Sequence, residues 1–318
     1  MKNLELSIIR TLAFFDIFSF PLTSLEIFKW LNVTDDSASA TDQPLLTQPY
    51  FYSEVQQALN QLPDKIQSKN GFYFLAGRSE LINQRLKKYG YAANKFKRAL
   101  GFSRIFSVIP YIKMIAVCNT LAYGNSSQAG DIDLFIIAQK NRLWLTRFLA
   151  VGFLKLLGVR PTKFKKQNTI DPTFFLSAAD LDIERLKIGE TDVYLTYWID
   201  QLAPVYDVAD SYQSFQQANG WVKKSLPNSF GCRPNDCRQF QPTPISKIIG
   251  HLIKMLTDWQ FLENWVSRYQ LKIMPLALKE IMNQDSRVVV NDKMLKFHLN
   301  DRRNEYQKSW QQSTRQLI

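Results

Sequence analysis

Two apolar runs, Met114 to Val117 and Ile132 to Ile137, bracket the segment IAVCNTLAYGNSSQAGDIDLFII and constrain this chain more than any other feature. Each run suits a buried strand. Asp131 and Asp133 flank Ile132 at the start of the second run. Side chains two apart on a strand point to the same face, so the two carboxylates are expected to converge on one spot. Such a pair suits a hard divalent cation, Mg2+ or Mn2+, which takes oxygen ligands and keeps places for water and phosphate. In phosphoryl and nucleotidyl transfer such an ion polarises the α-phosphate, lowers the pKa of the attacking hydroxyl and stabilises the leaving pyrophosphate. Between the runs lie a helix-forming stretch and a small polar loop, Gly124-Asn125-Ser126-Ser127. No Gly-rich P-loop, serine hydrolase elbow or zincin motif occurs in the chain.

Strand, turn and acid pair together resemble the DNA polymerase β-type nucleotidyltransferases. In the minimal members of that superfamily a Gly-Ser turn and a further glycine precede Asp-x-Asp, which leads into an apolar strand. This chain reads Asn119-Thr120-Leu121-Ala122-Tyr123-Gly124, then six residues, then Asp131-Ile132-Asp133. The resemblance spans roughly Ile109 to Asp207, with the motif itself confined to the centre of that stretch. It implies transfer of a nucleoside monophosphate from a magnesium-bound nucleoside triphosphate to an acceptor, whether protein, RNA or small molecule. Asp131 and Asp133 would hold the metal, and Thr120 with the Gly124–Ser127 loop would hold phosphates. Asn119 stands where the family has glycine, and either donates its amide to the same oxygens or obstructs them. The alternative for Asn119-Thr120 is a strand end followed by a helix N-cap. Members with two-metal activity add a third carboxylate from a neighbouring strand. The candidate strand is Thr173 to Ser177, and Asp171 ahead of Pro172 is preferred to Asp180, Asp182 and Glu184 beyond it. Asp171 also reads as an ordinary turn residue before proline. The alternative function is a non-catalytic nucleotide- or nucleic-acid-binding regulator built on a degenerate transferase domain.

The net charge of +12 is unevenly placed. Residues 1–75 carry five Lys/Arg against eight Asp/Glu, a net of −3, so the remainder carries +15. Arg78 to Lys113 has nine basic residues against Glu80 alone, and Lys140 to Lys166 has eight and no acid. Such stretches attract polyanions, or serve as solvated helix faces. Cys118 sits in an apolar run and reads as core. Cys232 and Cys237 have only His251 and His298 as histidine partners for a closed zinc site. Arg10 and Asp16 interrupt the apolar start, and Arg147 and Lys155 interrupt Leu143 to Val159. No secretory signal, membrane span or membrane partner is therefore expected, and the location expected is cytoplasmic.

With 318 residues the chain has room for two or three domains, and the fold class expected is α+β. Residues 1–78 read as helix, helix, helix and hairpin, an order that resembles a winged helix-turn-helix. Capping boxes are predicted at Thr23/Glu26 and Ser53/Gln56. Asn70-Gly71 before Phe72 to Leu75 is a strong hairpin signal. DNA binding by this module is not expected, because it is acidic and its third helix carries no basic residue. Residues 79–108 read as a basic linking helix, 109–210 as the nucleotidyltransferase α/β domain, and 211–318 as a C-terminal helical region. A long helix from Ile245 places Ile248, Leu252, Met255, Trp259, Leu262 and Val266 on one stripe, assigned to core packing. In the tail, Met294 to Arg303 follows Val288-Val289-Val290; Arg302 or Arg303 could reach a triphosphate, or Asn300 could cap a helix.

Overall fold

Local signals in the first 75 residues place most elements where the sequence predicts them. The computed structural model describes residues 2–34, 49–61, 65–162, 164, 166–229 and 239–317. Cys232, Cys237 and most of the polar stretch from Asn32 to Pro49 lie outside the described residues. The chain opens with α1 (Lys2–Ile17), β1 (Leu22–Thr23), α2 (Ser24–Lys29), α3 (Tyr52–Leu59), β2 (Ile66–Lys69) and β3 (Phe72–Leu75). Asn70 and Gly71 take φ of 54° and 78°, and β2 pairs antiparallel with β3 across them. The Thr23/Glu26 capping box forms: Thr23 N donates to Glu26 Oε2 at 2.8 Å, and Glu26 N donates to Thr23 Oγ1 at 3.3 Å. The box predicted at Ser53/Gln56 does not. That helix starts two residues earlier, at Tyr52 with Phe51 as N-cap, and Glu54 accepts the Phe51 N–H at 2.6 Å.

The linking helix expected within residues 79–108 is α4 (Leu81–Phe106). There follow β4 (Ile112–Val117), α5 (Asn119–Ala122), β5 (Ile132–Ala138), α6 (Leu143–Leu156), β6 (Ile170–Ser177), α7 (Val193–Gln201) and β7 (Ala203–Asp207). The C-terminal part supplies α8 (Ser211–Ala218), α9 (Val222–Ser225), α10 (Pro244–Thr257), α11 (Gln260–Lys272), α12 (Leu276–Glu280), β8 (Val288–Val290), β9 (Met294–Phe297) and α13 (Arg303–Leu317). The reading of residues 211–318 as helical missed β8 and β9. Among the described residues these complete a six-stranded sheet ordered β7-β4-β5-β6-β9-β8. Only β5 and β6 run parallel; the other neighbours are antiparallel. Mixed α and β composition is thus as expected.

Strand alternation divides the core. Ile132, Leu134 and Ile136 of β5 pack with side chains of α4, α6 and α11 on one face. Phe135 and Ile137 point to the other, with α1, α7 and α13. The N-terminal helices share this second core rather than forming a body of their own. Phe14 stacks on Tyr197 at 4.1 Å, and the indole N–H of Trp310 donates to the Arg10 carbonyl at 2.9 Å. Arg85 of α4 grips Glu26 with two hydrogen bonds of 2.6 and 2.8 Å. A bidentate pair of this kind holds orientation as well as contact.

The long helix expected from Ile245 is two helices, interrupted where Arg142 donates to Asp258 at 2.7 and 2.9 Å. Its stripe is not core. Val266 is buried, but Ile248, Leu252, Met255 and Trp259 are exposed. The side of α10 that meets the body is small instead: Ser246 and Gly250 are buried, and Thr257 shares a hydrogen bond of 2.9 Å with the Tyr111 hydroxyl. A Cβ on Gly250 would lie 3.3 Å from the Val108 carbonyl oxygen, so α10 rests almost backbone to backbone. No described helix is long and apolar enough to cross a membrane.

Candidate functional site

Strand pairing builds the site. Asp133 on β5 stands directly opposite Asp171 on the parallel neighbour β6, and Asp131 lies two residues before Asp133 on the same face. The three carboxylates each offer an oxygen within 4.8 Å of the others, and together they can hold a metal ion. Asp171 lies inside β6 rather than in a turn before it, because the strand begins at Ile170. Pro172 is accommodated where the β5–β6 register shifts between Leu134 and Phe135, a position where a strand tolerates the missing donor. Asp180 is elsewhere, paired with Arg185 at 2.9 Å.

Electrostatics mark these acids as strained when no cation is present. Burial, with Asp131 next in importance, pushes the Asp133 carboxyl up to about 7, against a partial offset from the Asn119 hydrogen bond. Burial also raises Asp171 to about 6, where Arg160 and Arg147 pull against the charge of Asp131. Like charges held this close disfavour joint ionisation, and a bound cation removes that penalty.

Asn119 holds the turn. Its φ is 57°, the left-handed region that glycine takes readily and asparagine tolerates better than most residues. An asparagine here thus holds a backbone shape that glycine would also take. Its side chain is engaged three ways: Nδ2 donates to Asp133 Oδ2 at 2.8 Å, while Oδ1 accepts from Trp198 Nε1 at 3.0 Å and Tyr194 Oη at 3.3 Å. Asn119 is therefore the first residue of α5 and a brace for Asp133, not the helix N-cap. Asn119→Ala is expected to cost about 2–3 kcal/mol in denaturant unfolding, from left-handed strain and two donors left without an acceptor. Asn119→Gly, which removes the strain, should cost roughly 1 kcal/mol less.

The polar loop is divided. Gly124 has φ of 84°, and a Cβ there would meet the Tyr89 ring at 3.2 Å. Asn125 and Ser126 are buried, with the Asn125 amide donating to the Phe18 carbonyl at 3.0 Å. Asn125 is thus spent on the end of α1, and of the expected phosphate cradle Thr120 and Gly124 are half-buried and Ser127 is exposed. Sequence reasoning missed Lys95. This buried lysine of α4 donates to the carbonyls of Ser127, at 2.7 Å, and Gly130. Burial lowers its pKa against the attraction of Asp131 and Asp133. The signal was present: Lys95 interrupts a buried small-residue stripe of Ala92, Ala99 and Ser103.

Beyond Asn119 opens a cavity of about 140 Å³, walled by Phe174, Trp198, Tyr194 and Tyr306 and reached by His298 and Arg302. The tail segment singled out in the sequence therefore lines the same cavity as Asn119, the residue that bonds Asp133. Its residues divide the work. Arg303 is buried and consumed by Asp192 at 2.8 Å, Asp301 at 2.7 Å, the Leu186 carbonyl and Ser286. It is structural and does not reach for a triphosphate. Asp301, not Asn300, accepts the Arg303 N–H at the start of α13, at 3.0 Å. Burial, aided by Lys296, holds His298 down to about 4, so its imidazole is neutral near pH 7, and its Nδ1 has no partner among the described residues.

No family model, curated protein or solved structure matches this chain. Its function must therefore be argued from the site alone.

Proposed function

We propose that the protein is a nucleotidyltransferase that moves a nucleoside monophosphate from a nucleoside triphosphate to an acceptor bound in the cavity beside Asn119. The observation that supports this reading is the convergence of Asp131, Asp133 and Asp171 within 4.8 Å on adjacent parallel strands. Asp131 and Asp133 would hold Mg2+ or Mn2+, which supplies Lewis-acid polarisation of the α-phosphate and charge neutralisation for pyrophosphate. Asn119 keeps the Asp133 carboxylate turned toward its neighbours. Asp171, with its carboxyl raised to about 6, can take the proton from the acceptor nucleophile near neutral pH. The acceptor oxygen or nitrogen forms a bond to the α-phosphorus as the bond to pyrophosphate breaks. Thr120, and Arg147 and Arg160 beside Asp171, offer hydroxyl and cationic partners to phosphate oxygens. The aromatic walls and the neutral imidazole of His298 suit an acceptor with a ring face and a hydrogen-bonding edge.

In this reading the N-terminal helices and hairpin, which share the core with β5, are a structural element of the transferase. A second reading, nucleotide binding without transfer, is favoured by one feature: the Asn119 side chain occupies the turn that glycine leaves open for a triphosphate. Incubation with α-labelled nucleoside triphosphates, Mn2+ and a cell extract separates the two. Transfer is expected to label a product and release pyrophosphate in wild type and not in Asp131→Asn. Nucleotide binding with no pyrophosphate release in any extract fraction would leave the second reading standing.

A further inference from the structure

The helices α10 and α11 are built inside out. On α10, Ser246, Gly250, Ile253 and Thr257 face the protein, while Ile248 (62% exposed), Leu252 (54%), Met255 (64%) and Leu256 (77%) face outward. On α11 the inward positions include Glu263 and Gln270, which serve polar ends of α6. Glu263 accepts the N–H groups of Trp144 and Leu145 at 2.8 and 3.0 Å, and Gln270 donates to the Trp144 carbonyl at 2.9 Å. Phe261, Trp265, Tyr269 and Ile273, four residues apart, form the outward ridge, and Tyr269 meets exposed Phe148 of α6 at 6.3 Å. These specific inward contacts set the orientation of both helices, so the outward apolar face is not core awaiting closure. The two outward faces meet where the rings of Trp259 and Phe261 lie 6.1 Å apart, and an exposed apolar patch of this kind marks a site of association.

We propose that α10 and α11 dock the protein onto an anionic lipid bilayer, lying in the plane of its surface. Charge selects this occupant. At about 3.6 residues per turn, Lys247, His251 and Lys254 fall together on one flank of α10, between the body-facing side and the apolar arc. The helix carries no acidic residue, and all three basic side chains are exposed. Arg268 and Lys272 are exposed beside the α11 ridge. A basic flank next to an apolar arc is the form of helices that rest at the boundary of headgroups and acyl chains. Trp259, Trp265 and Tyr269 supply rings with an apolar body and a polar edge, suited to that depth. A second copy of the chain is the poorer fit, because each brings a net charge of +12 and sets basic flanks against each other. The expectation of no membrane partner rested on the charged residues that interrupt the apolar segments, which bear on spanning helices alone. Short surface helices require no spanning segment.

The test uses the full chain in flotation with vesicles of phosphatidylcholine alone, or with about a third phosphatidylglycerol. Each lysine near an anionic surface adds roughly fivefold, so Lys247 and Lys254 together predict a preference of about 25-fold for anionic vesicles, falling in about 0.5 M salt. Lys247→Gln with Lys254→Gln should remove most of that preference. Leu252→Asp with Leu256→Asp should abolish binding to both vesicles without lowering the melting temperature, since both side chains are exposed. Vesicle binding unchanged by the paired Asp substitutions would overturn the proposal. So would no binding to anionic vesicles alongside a dimer, seen by sedimentation equilibrium, that the same substitutions dissolve. Asp131→Asn should float with vesicles as wild type does, which keeps this result separate from the transfer reaction.

Discussion

Asp133→Asn is expected to abolish the proposed transfer while making the metal-free protein harder to melt above neutral pH. The loss of activity should exceed about a hundredfold, the effect typical of merely removing a group that supports a metal ligand. The stability change follows from linkage. Burial and Asp131 hold the Asp133 carboxyl near 7 in the folded chain, well above its ordinary value near 3.8. The folded state therefore binds this proton more tightly than the unfolded state does. The stabilisation is full below about pH 4 and is lost as pH rises through about 7. At pH 8 the wild type carries an unpaired charge that the amide lacks, while at pH 4–5 both side chains are neutral. Because Asp133 is only partly buried, a gain of roughly 1–2 kcal/mol at pH 8 is expected, a few degrees in Tm, with little difference at pH 5. The Asn119 contact survives, since an amide oxygen can still accept its N–H. Thermal melts at both pH values, without and with Mn2+, check this. A variant that melts lower than wild type at pH 8 in metal-free buffer would make Asp133 an ion-pairing acid instead.

What the sequence made legible was what local pattern controls. Alternation along Asp131 to Ile137 placed both acids on one strand face, and Asn70-Gly71 placed a hairpin, because each depends on adjacent residues alone. Asp171 was reachable for a similar reason, as an acid beside a second apolar run. The remainder depended on partners distant in the chain. Strands β8 and β9 are short, and nothing nearby marks them as the edge of a sheet laid down more than a hundred residues earlier. The outward face of α10 has the periodicity of a core helix, and the contacts of Ser246, Gly250 and Thr257 with the body reverse which side is inside. The sequence left Asn119 open as a phosphate contact, an obstruction or part of a helix N-cap. Its positive φ and its bonds to Trp198 and Tyr194 show a residue that keeps the turn and braces the acid.

Divalent-cation affinity should rise steeply with pH and level off above about pH 7. A carboxylate ligates only after losing its proton, and the two raised groups titrate near 7 and near 6. Because they interact, these are best treated as successive steps of the cluster rather than as properties of single residues. At pH 5 the first step leaves about one molecule in a hundred ionised and the second about one in ten. If the ion needs both carboxylates, its affinity should rise roughly a thousandfold between pH 5 and pH 8. If it needs Asp133 but leaves Asp171 free to accept a proton from the acceptor, the rise should be nearer a hundredfold. Titration of Mn2+ by calorimetry across this range reads the number directly, and Asp171→Asn sorts the two cases. In the first case that substitution weakens binding at every pH. In the second it leaves Mn2+ affinity nearly intact at pH 8, where its removal of a neighbouring charge is the main change, while transfer is lost. An affinity that stays flat from pH 5 to pH 8 would mean that these carboxylates are not the ligands, because no arrangement of raised acids can bind a cation without first giving up protons.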